Sequence, residues 1–206
     1  MIFSGFKSDD FETFYLDGLD ERMQAIQTRI QPKFQAISEE ILPFLEKELD
    51  KDMYLHIAKH ARRTVNPPND TWSAYCDNKR GYKKHPHFQI GLWHDHVFVW
   101  LAYIYELPHK KEIASKFKHD IEDIKKVIPA DYYISQDHMK NEATIFKDVD
   151  FERVLDRFET VKKSELLIGR RFDKDDDVLK DGKAFVDEVK QTFSQLRQVY
   201  LSSLNI

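Results

Sequence analysis

HFQIGLWHDHVFVWLAYIY, residues 87–105, is the stretch whose reading decides the fold. Phe88, Ile90 and Leu92 alternate with His87, Gln89 and Gly91, the period-two pattern of a strand with one apolar face. His94, Asp95 and His96 make a tight connection. From Val97 to Tyr105 the chain is apolar at odd and even positions alike, as in a strand covered on both sides. The stretch therefore reads as a β-hairpin whose second strand lies inside a sheet.

Upstream, Tyr54–Lys59 alternates as a short strand, with Leu55 and Ile57 on one side and His56, Ala58 and His60 on the other. Val65–Asp70 is a proline- and asparagine-rich break that forces an exposed loop. Thr71–Cys76 is a possible further strand, and Asp77–Gly81 a second turn. The first fifty residues are helical, and Phe34, Ile37, Ile41, Leu45 and Leu49 recur at helical spacing. Pro32 is expected to stop one helix there, and Pro43 to kink or divide the next.

Downstream, the apolar stripe Ile113, Phe117, Ile121, Ile124 and Ile128 predicts a helix opened by Pro108 and ended by Pro129. Tyr132–Gln136 and Ala143–Lys147 are strand candidates, and Asp150 caps a helix burying Val154, Leu155, Phe158 and Val161. Leu166–Phe172 is a last strand, followed by a long helix over Asp181–Leu204. Adjacent hairpins with helices between them predict an α+β fold. We expect a single domain over 1–206, with a largely antiparallel sheet of about five to six strands and helices packed against it.

The chain is ordinary in composition, 41% hydrophobic and 33% charged, with no low-complexity tract or repeat. Its one cysteine, Cys76, allows no internal disulfide and suits a reducing compartment. MIFSGFKSDD at the start lacks the basic-then-apolar pattern of a signal peptide. The longest apolar run, Val97–Tyr105, is nine residues, and a membrane span needs ~20. The expectation is a cytoplasmic protein with no membrane association.

Net charge is −4, yet Lys59–Lys84 holds seven Lys or Arg against two acids, so this segment carries +5 and the rest −9. Such an island attracts anions locally. Arg62 and Arg63 suit bidentate contact with phosphate or carboxylate. Lys79, Arg80, Lys83 and Lys84 add charge, Asn66 adds donors, and Trp72 and Tyr82 offer rings for stacking. His60, His85 and His87 fall in the same segment. The bland alternative is a solvated surface paired with the protein's own acids.

His85 and His87 share a strand face and could point at one ligand. His94 and His96 repeat the spacing, but roughly 20 Å of strand separates the two pairs, so they cannot build one metal centre. Walker, dinucleotide-binding, nucleophile-elbow and zincin motifs are absent from the sequence. No cofactor and no metal is expected, and the sequence names no catalytic residue.

HARRTVNPPNDTW (60–72) followed by KRGYKKHPHFQIGLW (79–93), with FSGFKSDDF (3–11) at the start, resembles the YktB-like family of bacterial proteins without assigned function. The resemblance spans nearly the whole chain and implies a single cytoplasmic α+β domain. It carries over no catalytic residues. The leading expectation from the residues is a protein that binds an anionic small molecule or nucleic acid through the basic, aromatic-rich loop. A phosphate-ester hydrolase or transferase using His60, His85 or His87 is the alternative, and a protein–protein adaptor the second.

Overall fold

A computed structural model describes residues 2–206. Helix α1 (Ser8–Glu12) leads to α2 (Leu19–Ala25), which continues without interruption through a wide π turn at Ile26–Ile30 into α3 (Gln31–Leu49). This corrects the expected stop at Pro32. Proline lacks the N–H of a normal helical turn, and the wider turn before it absorbs the mismatch, with Gln31 N–H bonded to Ile26 O. Pro43 likewise sits inside α3 without dividing it, and the helix ends at Asp50 in the left-handed conformation, φ 51°. The predicted stripe Phe34, Ile37, Ile41, Leu45 and Leu49 is buried.

The sheet has seven strands, one or two more than expected: β1 (Tyr54–Ile57), β2 (Asp70–Cys76), β3 (His87–Trp93), β4 (His96–Tyr103), β5 (Tyr133–Ser135), β6 (Thr144–Ile145) and β7 (Leu166–Asp173). The surplus comes from β2, read only as a possible strand but paired on both sides; β6, two residues long, falls within the Ala143–Lys147 candidate. The order is β1-β2-β3-β4-β7-β5-β6 and every pairing is antiparallel. β4, the strand read as covered on both faces, stands in the middle.

Between β4 and β5 the predicted single helix divides at Asp120 into α4 (Lys110–His119) and α5 (Ile121–Val127). α6 (Phe151–Thr160) is capped by Asp150, whose carboxylate accepts the Arg153 N–H at 3.1 Å. The last helix, α7 (Gly182–Leu204), is capped by Asp181. Among the described residues no helix is long and apolar enough to cross a membrane.

α3, α7 and the α4–α6 pair cover one face of the sheet. Into that core point Phe88, Ile90 and Leu92 of β3, Val97, Val99, Leu101 and Tyr103 of β4, and Leu166, Ile168 and Phe172 of β7. The Phe88 ring sits 4.6 Å from Phe193 and 5.1 Å from Tyr200 of α7. Alternate residues face the other way: Asp70, Trp72, Ala74 and Cys76 of β2, His87, Gln89 and Trp93 of β3, and His96, Phe98 and Trp100 of β4. Gly91 leaves room on this face for the Phe98 ring, which lies where a Cβ would stand, and at Gly169 the Val99 carbonyl takes that place with the Trp100 ring beside it. Loops rather than helices cover the face: 58–69, 77–86 and 136–143.

Candidate functional site

Two of the cavities bordered by these loops share a wall. The larger, about 730 Å³, lies between residues 58–63, Tyr82 and Lys83, Tyr105 and Glu106, 137–139, and Lys163 and Glu165. The smaller is a chamber of about 20 Å³, room for roughly one water. Its wall includes Asp70, Gln89, His96, Asn141 and Arg171, with Trp93, Phe98 and Trp100 around them. Trp72 and His138 line both spaces.

The basic wall of the larger cavity is built by a local reversal. His60 adopts the left-handed conformation, φ 49°, rare for a residue with a side chain. The chain turns there, and Arg63 N–H closes the turn onto His60 O at 3.0 Å. The His60 ring meets Trp72 edge-on at 5.6 Å, and its Nε2 lies 3.1 Å from Thr71 Oγ1. Burial, aided by Arg63, pushes the His60 imidazole down to about 4, so it is neutral at ordinary pH. Arg63 donates to the carbonyls of Asn66 and Pro67 at 3.2 and 3.3 Å, which ties the proline loop to the cavity wall.

The opposite wall carries an acid–imidazole pair. Glu165, just ahead of β7 and only 2% exposed, accepts the backbone N–H of His138 at 2.7 Å and that of Tyr105 at 3.2 Å. His138 Nδ1 lies 2.8 and 2.7 Å from the two Glu165 oxygens. A carboxylate there fixes the imidazole with Nδ1–H toward Glu165 and Nε2 toward the open side. The His138 pKa is raised: burial opposes the imidazolium, but the hydrogen bond and charge of Glu165, then Asp70 and Asp137, outweigh it. Asp70 begins β2 and is buried at the boundary of the smaller chamber. Burial pushes its carboxyl up to about 7 against the opposing pull of His138 and Arg63.

Asp137, His138 and Glu165 bring three potential ligand atoms within 4.8 Å of one another, the composition of a metal-ligand set. Both Glu165 oxygens already accept N–H donors. Hydrogen bonds within the chain therefore account for the cluster.

Of the residues singled out in the sequence, His60, Arg62, Arg63, Trp72, Tyr82 and Lys83 meet at the larger cavity. Tyr82 accepts a hydrogen bond from Trp72 Nε1 at 3.0 Å. Lys83 is paired with Glu106 at 3.2 Å. Asn66 reaches the site only through its carbonyl, on Arg63. Lys79, Arg80 and Lys84 are exposed on the 77–86 loop, outside the cavity lining. His85 contributes its carbonyl to His87 Nδ1 at 2.8 Å. His87 is sealed beneath Tyr82, ring centroids 4.8 Å apart, and Gln89 Nε2 donates to its Nε2 at 2.8 Å. Burial lowers the His87 imidazole to about 3, so it is a neutral, fully bonded core residue. His85 and His87 thus do not face one ligand together. Cys76 is buried, and burial pushes its thiol up to about 12, which leaves no reactive thiolate.

Sequence reasoning missed His138, Glu165 and Asp70. Asp70 ends the stretch read as an exposed loop, and His138 falls between the strand candidates Tyr132–Gln136 and Ala143–Lys147. The available signal was the dense polar run SQDHMKNE, 135–142, between two short strands.

Fold and site together define an α+β protein with a polar, aromatic-floored cavity on the loop-covered face of an antiparallel sheet. Comparison with known sequences then places it. Residues 6–200 match the family described as a domain of unknown function, DUF1054, and the chain belongs to that family. It is 53% identical to a UPF0637 protein of Oceanobacillus iheyensis over 96% of this chain and 95% of the relative. It is 51% identical to one of Shouchella clausii over 99% and 97%, and 44% identical to one of Listeria monocytogenes over 99% and 100%. These are uncharacterised bacterial proteins, in keeping with the YktB-like resemblance.

Proposed function

We propose that the larger cavity binds a nucleotide-sized ligand carrying phosphate. The observation that supports this reading is the convergence of cations and rings on one space. Lys59, Arg62, Arg63, Lys83 and Lys163 line it together with Trp72, Tyr82 and Tyr105. Guanidinium and ammonium groups suit phosphate, and the rings suit a base. A volume of about 730 Å³ falls within the ~300–1,000 Å³ of small-molecule sites. Lys79, Arg80 and Lys84 lie off the cavity and do not extend it into a track, which favours a mononucleotide over a nucleic-acid strand. The free, buried Cys76 fits a cytoplasmic setting.

Calorimetric titration of the full chain with nucleoside mono-, di- and triphosphates tests the proposal. Saturable binding is expected, weakened roughly 10- to 100-fold in Arg62→Ala, the loss of a charge-assisted hydrogen bond. Absence of binding at millimolar nucleotide contradicts the reading. Tight, salt-sensitive binding of oligonucleotides that depends on Lys79, Arg80 and Lys84 would replace it with a nucleic-acid interface.

A second reading, phosphate-ester hydrolysis or transfer, rests on one observation: an imidazole oriented by a buried glutamate in the cavity wall. Release of inorganic phosphate from the bound nucleotide tests it.

A further inference from the structure

We propose that His138 is a ligand-contacting residue of this cavity and selects a terminal, doubly charged phosphate, taking up a proton as the nucleotide binds. The inference rests on the cavity reading above and extends it to a residue on the far wall.

The geometry is specific. Glu165 is anchored by two backbone N–H groups and holds His138 Nδ1, so the imidazole cannot turn. Nε2 has no partner among the described residues, and the His138 side chain retains 16% exposure. It borders both the larger cavity and the smaller chamber. The Trp72 ring meets it edge-on at 5.8 Å, so a base against Trp72 would bring its attached group past the imidazole. Asp70 feels both His138 and Arg63, which puts a wall cation and the imidazole around the same carboxyl.

Charge explains the selectivity. With His138 protonated, Glu165 is neutralised, Lys83 is paired with Glu106, and Asp137 is the remaining acid against Lys59, Arg62, Arg63 and Lys163. With His138 neutral, Glu165 keeps its two backbone donors and the nearby charge of Lys110 but loses its imidazolium partner, so that wall of the cavity turns more negative. The groups around the imidazole are Glu165 ahead of β7, Asp70 on β2, Asp137 on its own loop and His87 on β3. His87 stays neutral, while Asp70 ionises at about 7 and adds repulsion above that pH. A phosphate monoester gains its second charge near pH ~6, and an internal diester never does. Affinity should therefore peak between the phosphate's ionisation and the loss of the His138 proton.

The test is calorimetric titration of the full chain with nucleoside 5′-monophosphates and their phosphate methyl esters, from pH 5.5 to 9, in buffers of differing ionisation enthalpy. We expect at least about tenfold tighter binding of the monophosphate at pH 7, net proton uptake, and affinity falling toward tenfold per pH unit on the alkaline side. His138→Gln should flatten that limb and level the two ligands. Should His138→Gln lose its fold, the wild-type imidazole observed by NMR decides, because its pKa must rise when the monophosphate binds. Equal affinity for ester and monophosphate, or a pH limb unchanged in a folded His138→Gln, overturns the proposal and leaves the cavity reading standing. Failure of every nucleotide to bind overturns both.

Discussion

Replacing Asp70 by Asn should make the protein more stable at neutral pH, and by an amount that depends on pH in a defined way. Asp70 is 5% exposed at the start of β2, and burial raises its carboxyl from 3.8 to about 7. Between those values the folded protein keeps a proton that the unfolded chain has released. The folded state then binds more protons, so stability falls as pH rises from about 4 to about 7 and is flat above. Each tenfold change in the ionisation constant is worth about 1.4 kcal/mol, which makes the penalty at pH 8 about 4 kcal/mol. Asparagine has nearly the same shape and does not ionise, so it removes the penalty. Urea unfolding of wild type and Asp70→Asn at half-unit steps from pH 4 to 8 measures this. The two curves should nearly coincide at pH 4 and separate by about 4 kcal/mol at pH 8. In a thermal melt at pH 8 the gain is roughly 8–16 °C for a chain of this size. A difference independent of pH, or a variant weaker than wild type at pH 8, refutes the reasoning. A carboxyl kept at such a cost on the rim of a polar chamber is the kind of strain that sites retain and cores discard.

Other predictions concern single contacts. Arg62→Ala should leave the melting temperature within about a degree while weakening nucleotide binding, since an exposed side chain with no ion pair among the described residues contributes little to folding. Arg63→Ala should do both, because its guanidinium also holds the Asn66 and Pro67 carbonyls; denaturant unfolding should show a loss of about 1–3 kcal/mol. Lys110 Nζ gathers the carbonyls of Val161, Lys162 and Ser164 at 2.7, 3.0 and 3.0 Å beyond the end of α6. Lys110→Met strands them and should cost about 2–4 kcal/mol by the same measurement. Phe88→Ala opens a void between β3 and α7 and should cost about 3–5 kcal/mol, with no change in binding per folded molecule.

Much of the fold was legible because it is written in local periodicity. Phe88, Ile90 and Leu92 alternate, Val97–Tyr103 does not, and those two facts placed β4 at the centre of the sheet. Proline misled the helical reading. Pro32 and Pro43 carry the same local signal as helix breakers, but a π turn and the packing of α3 against α7 override it. The strand count fell short at β2, whose pattern over Thr71–Cys76 marked only a possible strand, while the two-residue β6 falls inside the Ala143–Lys147 candidate. At the site, Arg62, Arg63, Trp72 and Tyr82 were legible as a basic, aromatic segment lying close together in sequence. Lys79, Arg80 and Lys84 belong to the same segment but point elsewhere, since a turn at Asn78–Gly81 carries them away. His138 and Glu165 stand 27 residues apart on different connections. No spacing rule joins two such residues, and only the pairing of β5 with β7 brings them together.

The most direct test of the central claim is a crystal structure of the protein with a nucleoside monophosphate. The base is expected against Trp72 or Tyr82, with phosphate oxygens within about 2.7–3.2 Å of a guanidinium of Arg62 or Arg63 and of His138 Nε2. A nucleotide bound along Lys79–Lys84 with this cavity empty would contradict it.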